Sequence, residues 1–388
     1  MLNSRFVPPA SDELEISLFG PGYGEAIVLH VGEGKWILVD SCVEPELKSP
    51  ASLKYLHDLN VDEESAVKLI VVTHWHDDHV RGISTVFEKC RSADIAISSA
   101  FSTGEFFNLV QTRRERVAKK GSGLYEFARI FQLLEKRKQP GVRFNPPKLA
   151  SADKSLYHDL IQKTSETAEV RVFALSPSDA SVLQAQSAFA QLHPQENDRQ
   201  KRVASPTPNH ASVALWIKVG NHKILLGAEL ERTPDPKTGW SVILSDSTVI
   251  FDKAGVFKVP HHGSENAHHE RVWSELLSEK PFAILSPFRR GNQQLPSPAD
   301  VERITRLTPH AFASAPARRR RQKWRNRVVR DAVKQSTRNI QDVHCGWGHI
   351  RLRKRIDETS PAWRVELFGD ACTLCSLRPA TSDRGVHR

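Results

Sequence analysis

The hexapeptide His74-Trp75-His76-Asp77-Asp78-His79 follows directly on the apolar run Val67–Thr73 (VKLIVVT). A continuous aliphatic and β-branched run of this length reads as a strand buried on both faces. Three imidazoles and two carboxylates are therefore delivered together at the end of a buried strand, where polar side chains need partners. Neutral imidazole nitrogens and carboxylate oxygens are the ligands that zinc and related first-row ions take. The alternation of an extended chain puts His74 and His76 on one side, and Asp78 and His79 reach a neighbouring position as the chain turns. A solvated histidine-rich loop is the competing reading, and the density and spacing of the motif argue against it.

A chain of 388 residues can bury one large elaborated domain or two ordinary ones. Its 39% hydrophobic and 26% charged content is that of a folded soluble protein rather than a membrane or low-complexity chain. The first thirty residues carry no secretory pattern, and no stretch approaches the ~20 apolar residues of a membrane span. The expectation is a cytoplasmic protein without membrane insertion. Five cysteines without a dense pattern fit reduced thiols; Cys372-Thr-Leu-Cys375, with Cys345 beside His344, lacks the second pair of a zinc ribbon. The net charge is +10, of which Arg318, Arg319, Arg320, Arg321, Lys323, Arg325, Arg327 and Arg330 supply +8 with no acid among them. The basicity is thus local and marks either one binding surface or one solvated helix face.

Short apolar segments at Glu15–Phe19, Ala26–Val31 and Trp36–Val39 predict an opening β-meander. Ser102 and Glu105 have capping-box spacing ahead of Phe106, Leu109 and Val110, and Leu124, Phe127, Ala128, Phe131 and Leu134 share one helical face. Gln139 to Lys154 and Asp179 to Pro208 read as irregular, so residues about 100–205 are expected to form an inserted helical cap. Strands resume at Ser212–Val219, Lys223–Leu226, Gly255–Val259 and Phe282–Ser286, followed by a helix at Pro296–Leu307. The basic run Arg318–Val333 reads as an amphipathic helix, with late strands at His349–Arg353 and Trp363–Phe368.

The HxHxDH motif after an apolar strand resembles the signature of the metallo-β-lactamase superfamily. Gly20-Pro-Gly-Tyr-Gly-Glu-Ala and Trp36-Ile-Leu-Val-Asp40 resemble its opening strands. Asn209-His-Ala-Ser212-Val-Ala-Leu, Leu225-Leu-Gly-Ala-Glu229 and Lys258-Val-Pro-His261-His262-Gly263-Ser264 look like the competence-type (ComEC-like) branch, in which such a domain accompanies a DNA-uptake channel. The resemblance covers roughly residues 12–310. It implies an α/β fold, an αββα sandwich, with residues 1–310 as the hydrolase domain and 311–388 as a C-terminal extension carrying the basic helix and the late strands.

Carried over residue by residue, the resemblance makes His74, His76, Asp78 and His79 metal ligands and Asp40 the acid that supports their loop. One of His261 and His262 would complete the second metal position; His262 is favoured, with His261 facing substrate, although the order could be reversed. Ser264 closes the same motif as a supporting residue. Ala228-Glu229 stands where relatives usually carry Gly-Asp, so the carboxylate expected to bridge two metals is one methylene longer here, and Leu295-Pro296 replaces a frequent His-Pro. Asn209 sits where some branches use a histidine ligand, and either Asn209 or its neighbour His210 could serve.

The implied cofactors are two divalent ions, zinc first and manganese second. Held ~3.5–4 Å apart, such a pair activates a shared hydroxide and polarises the oxygen under attack, with Asp78 and His261 as the catalytic side chains. The fold alone does not choose a substrate. The branch resemblance and the cationic residues Arg318, Arg319, Arg320, Arg321, Lys323 and Arg325 favour a phosphodiesterase or nuclease acting on nucleic acid. Two alternatives stand beside it. One is a hydrolase of a small ester, thioester or phosphodiester with a protein partner on the basic segment; the other is a binding or regulatory subunit impaired by Glu229.

Overall fold

In the computed structural model residues 7–21, 24–117, 122–138, 144–162, 167–192, 209–290, 293–316 and 346–377 are described. The first half supplies strands β1 (Glu13–Pro21), β2 (Ala26–His30), β3 (Trp36–Val39), β4 (Val67–Val72), β5 (Asp94–Ser98) and β6 (Lys148–Ala150). Then come β7 (Lys154–Gln162), β8 (Thr167–Ala174), β9 (Leu215–Val219), β10 (His222–Leu226), β11 (Ala254–Lys258) and β12 (Leu277–Leu285). A hairpin of β13 (Phe288–Arg290) and β14 (Gln293–Leu295) precedes β15 (Ala311–Ala313), β16 (Trp347–Arg355), β17 (Arg364–Gly369) and β18 (Cys372–Thr373).

Among the described residues these strands form two eight-stranded sheets, ordered β17-β16-β1-β2-β3-β4-β5-β6 and β18-β15-β12-β11-β10-β9-β8-β7. Alternation along β1 sends Leu14, Ile16 and Leu18 into the space between the sheets, where they meet Val170, Val172, Ile217, Val219, Ile224 and Val256 of the second sheet. Apart from Lys68 near its start, β4 is aliphatic because it is buried on both faces: Leu69 and Val71 face the other sheet, whereas Ile70 and Val72 face the helices. Helices α1 (Ala51–Asp58), α2 (Glu63–Ala66), α3 (Asp77–Val80), α4 (Ile83–Lys89), α5 (Gly104–Val117), α6 (Gly123–Arg137) and α7 (Asp179–Gln191) belong to the first half and the strand region that follows. Tyr55, Phe87, Phe106, Phe127 and Phe189 of these helices cover the outer face of the first sheet. Helices α8 (Gly239–Asp246) and α9 (Pro298–Leu307) cover the second through Trp240, Ile243, Val301 and Ile304. The result is the expected αββα sandwich. No helix among the described residues is long and apolar enough to cross a membrane.

Four sequence expectations are corrected. The segment 100–205 is not only a helical insertion: β6, β7 and β8 extend the edges of both sheets. Its second irregular stretch begins as α7, whose Ala, Ser and Gln content gives little periodicity although Ser178 caps it by accepting from the Ser181 amide. The helix after Ser102 starts at Gly104, and Thr103, not Ser102, takes the capping contact, from the Phe106 amide. The late strands are not an appendage beyond residue 310: β16 pairs with β1 over nine residues, and β15 and β18 join the second sheet. The basic run Arg318–Val333, Cys345, and with them Arg318, Arg319, Arg320, Arg321, Lys323 and Arg325, lie outside the described residues.

The β1–β16 pairing brings its own chemistry. Glu15, fully buried, accepts from Ser17 Oγ and Tyr55 Oη (both 2.7 Å) and from the Arg353 guanidinium at 2.7 Å, while Arg351 Nε donates to Glu366 at 2.9 Å. Nearby in the same sheet His30 is held neutral, because Nδ1 donates to the Glu13 carbonyl (2.6 Å) and Nε2 accepts from the Gly34 amide (3.0 Å). Burial pushes this imidazole down to about 4, against the pull of the Glu13 carbonyl. Protonation would set an N–H against the Gly34 N–H. The unfolded chain then binds more protons between pH 4 and 6.5, so the stabilisation is fully present above 6.5 and is lost as pH falls toward 4. Denaturant unfolding of the wild type across this window is expected to lose roughly 2–3 kcal/mol more than His30→Gln does, and parallel pH profiles would reject the assignment.

Candidate metal centre

The first sheet delivers the histidine motif through a loop that other residues pin in place. Asp40, just past β3, accepts from the Thr73 amide (2.7 Å), Thr73 Oγ1 (2.5 Å) and His79 Nδ1 (2.8 Å), tying the end of β4 to the start of α3. Gly24 lies at φ 136°, and the backbone amide of the next residue, Glu25, donates to the Asp78 carbonyl at 2.9 Å. A Cβ on Gly24 would fall 1.9 Å from that same carbonyl oxygen, so glycine is required by the close approach. On the far side the Gly123 amide donates to Asp77 Oδ1 at 2.9 Å, which uses Asp77 as an anchor for α6.

The second sheet contributes two loops. The one after β10 carries Glu229, whose amide donates to Ser212 Oγ at 3.0 Å; the one after β11 carries His261 and His262. Asp40, Ala228, His261 and His262 all have left-handed φ, between 45° and 59°, a conformation that costs non-glycine residues of order 1–3 kcal/mol each and persists where surroundings enforce it. Four of the eight non-glycine residues with positive φ among the described residues are at this cluster.

The side chains converge. His262 Nε2 lies 3.5 Å from both Asp78 Oδ2 and Glu229 Oε1, and His79 Nε2 lies 3.3 Å from Glu229 Oε1. His74 Nε2 faces His76 Nδ1 at 2.5 Å, and the His74 and His79 rings are 5.6 Å apart. Asp78, His79 and His262 offer ligand atoms all within 4.8 Å of one another. His262 Nδ1 donates to the Ser286 carbonyl at 2.8 Å as His79 Nδ1 does to Asp40, so in both rings Nε2 is left to present a lone pair, the arrangement that orients metal-binding imidazoles. His79 Nε2 and Glu229 Oε1 are buried without a hydrogen bond, which a cation between them would satisfy. The residues therefore fit a divalent metal site.

Electrostatics agree with that donor set. Burial holds His74 well below the usual imidazole value and His76 down to about 4, keeping both neutral. Burial also opposes charge on His79 and His262, yet Asp40 and Glu229 raise the first and Glu229 and Asp78 raise the second. Burial works against ionised Asp78 and Glu229 as well, and the same two histidines hold both carboxyls low. Without a metal, protons on His79 and His262 supply the positive charge these carboxylates require, so proton and metal compete for one site.

Of the sequence candidates, His261 sits at the rim, 19% exposed, with Nε2 3.6 Å from Glu229 Oε2. Asn209 Nδ2 donates to the Glu229 carbonyl at 3.4 Å. His210 is not drawn into the cluster; it lines a small cleft with His74, Trp75, Ala185, Phe189 and Asn209. The Ser264 amide donates to the His261 carbonyl at 2.9 Å, and Ser264 lines a separate pocket behind the loop with His268 and Arg303. Sequence reasoning did not assign Lys258, which is fully buried, ion-paired to Glu25 and donates to the Ala228 carbonyl at 3.1 Å. It also passed over Glu231, a buried carboxylic acid that burial pushes up to about 7. Lys258 is a charged residue inside an apolar run, which was the available signal; Glu231 stands in a charged stretch and gives none.

Residues 19–136 match a family model described as the metallo-beta-lactamase superfamily. A search of curated protein sequences returned no match. Among solved structures the chain is similar to MEM-A1, a subclass B3 metallo-beta-lactamase isolated from a soil metagenome library, at 14% identity and TM-score 0.30 over 70% of this chain and 88% of that one. It is similar to the metallo-beta-lactamase SMB-1 in a complex with mercaptoacetic acid at 16% identity and TM-score 0.31, over 70% and 88%. It is also similar to the metallo-beta-lactamase fold protein YhfI from Bacillus subtilis at 13% identity and TM-score 0.31, over 63% and 70%. The likeness rests on the matched segment and on the two-sheet architecture that holds it. Residues 19–136 are thus similar to the metallo-β-lactamase superfamily, and the two sheets flanked by helices are consistent with that fold.

Proposed function

We propose that this protein is a metal-dependent phosphodiesterase that cleaves nucleic acid, of the competence-type branch of its superfamily. The observation that carries the hydrolytic part is the convergence of His79 and His262 Nε2 with Asp78 and Glu229 oxygens at 3.3–3.5 Å in a superfamily of hydrolases. His74, His76, Asp78, His79, Glu229 and His262 would hold two divalent ions, zinc first and manganese second. Bound there, the ions supply Lewis acidity and lower the pKa of a coordinated water. Asp40 and Ser286 fix the ring directions of His79 and His262. Glu229 faces His79, His262 and His261 at once, which supports a bridging role despite its extra methylene. His261 presents Nε2 at the rim, placed to bind a phosphoryl oxygen or to give a proton to the leaving oxygen.

Nucleic acid as substrate is supported by the +8 run from Arg318 to Arg330. A second reading, a small ester, thioester or phosphodiester, is favoured by the cleft beside His74 that Trp75, Ala185 and Phe189 line. Salt separates the two. Metal-loaded protein is incubated with labelled single-stranded DNA, double-stranded DNA and RNA; the first reading expects cleavage that falls at least about tenfold between 50 and 200 mM salt. Turnover confined to small substrates and indifferent to salt would favour the second reading.

A further inference from the structure

We propose that Glu231 is a positioning residue for His261, fixing its tautomer and ring direction so that Nε2, not Nδ1, faces the cluster; this rests on the reading of His261 as the proton donor. Glu231 Oε1 lies 3.4 Å from His261 Nδ1. Both atoms are buried and neither makes another hydrogen bond. A buried donor and a buried acceptor left side by side without partners are costly, and a small ring rotation aligns them. The opposite nitrogen of the same ring already points at Glu229 Oε2, 3.6 Å away, so the imidazole lies between two carboxylates with distinct environments: Glu229 in the metal cluster, Glu231 behind it.

The backbone holds this arrangement. The His261 amide donates to the Ala228 carbonyl at 2.9 Å, the Gly227 amide to the Lys258 carbonyl at 3.0 Å and the Arg232 amide to the Asn266 carbonyl at 2.8 Å. The loops carrying Glu231 and His261 are thereby stitched on both sides of the pair. The Asn209 amide reaches the same Glu231 carboxylate and steadies it from the other direction. With Nδ1–H given to Glu231, Nε2 carries the lone pair, so it first takes the proton released by the attacking water and then returns that proton to the leaving oxygen, with Glu231 orienting the ring throughout as an acid does for a catalytic histidine.

The test uses the metal-loaded full chain and the variants Glu231→Ala, Glu231→Gln, Glu231→Asp and His261→Ala, with the Glu231→Ala/His261→Ala pair. Bound metal per chain is expected to stay unchanged in all of them. In ¹⁵N-histidine spectra the resonance lost in His261→Ala is expected to be the Nδ1–H tautomer in wild type and a mixture in Glu231→Ala and Glu231→Gln. On a labelled oligothymidylate, kcat is expected to fall about 10–100-fold in Glu231→Ala with KM within about twofold, to recover partly in Glu231→Asp, and to fall no further when Glu231→Ala is added to His261→Ala. An unaltered tautomer in Glu231→Ala and Glu231→Gln overturns the proposal. So does an equal slowing of wild type and His261→Ala by the Glu231 substitution. If wild type cleaves no phosphodiester, the functional reading falls on its own and the tautomer still decides the role of Glu231.

Discussion

The double variant His76→Ala/Asp78→Ala is expected to lose metal-dependent cleavage by more than about 100-fold and most of its bound metal, while its denaturant midpoint in the presence of chelator stays close to that of the wild type. Removing outer partners of metal-binding histidines commonly costs about 10–100-fold, and this variant removes two donors from the cluster itself. Asp78 faces His262 at 3.5 Å and His76 faces His74 at 2.5 Å, so the two substitutions strike both ends of the donor set. The fold should tolerate the change, because the loop is held by Asp40 on Thr73 and His79 and by the Glu25 amide on the Asp78 carbonyl, none of which uses the deleted atoms. Metal analysis beside the cleavage assay makes the result decisive. Wild-type protein that retains less than about one ion per chain after gentle purification would point to a binding or regulatory subunit instead, since a site built for two ions should keep them. Cleavage that survives in the double variant would mean a contaminating nuclease or a different centre.

The parts of this site legible in the sequence are those whose chemistry is local. HWHDDH follows its strand directly, Asp40 closes the adjacent strand, and His261-His262 ends a third apolar run, so pattern and position suffice to single them out. Lys258, Glu25 and Glu231 escaped assignment because their meaning is non-local: Lys258 is remarkable only once it is buried against Glu25, more than two hundred residues earlier. The sandwich was legible for the same local reason, from apolar runs of strand length. Its late strands were legible as strands but not as members of the first sheet, because WGHIRLRKR alternates Ile350 and Leu352 with His349, Arg351 and Arg353, and an arginine-bearing face reads as solvent-exposed. In the fold that polar face is buried, and β1 supplies the acid it needs.

That pairing yields the second large effect. Glu15→Ala is expected to destabilise the protein by about 3 kcal/mol or more, because breaking a buried pair leaves the surviving charge uncompensated. Glu15 Oε2 accepts from Arg353 Nε at 2.7 Å, and its Oε1 accepts from Ser17 and Tyr55; when the carboxylate goes, Arg353 keeps the Val7 carbonyl at 2.6 Å and a distant Glu13 at 4.0 Å. Arg353→Ala should cost a similar amount from the other side, stranding a buried carboxylate. The double variant Glu15→Leu/Arg353→Met should cost less than either single change, since two apolar groups of similar volume leave no charge to desolvate. Guanidinium unfolding of wild type and the three variants measures these differences. Single variants within about 1 kcal/mol of wild type, or a double variant as unstable as the sum of the singles, would mean that the pair does not hold β16 to β1. Because none of these residues touches the His74–His79 or His261–His262 clusters, bound metal in the folded fraction should not change, which separates the closure of the sheet from the chemistry at its edge.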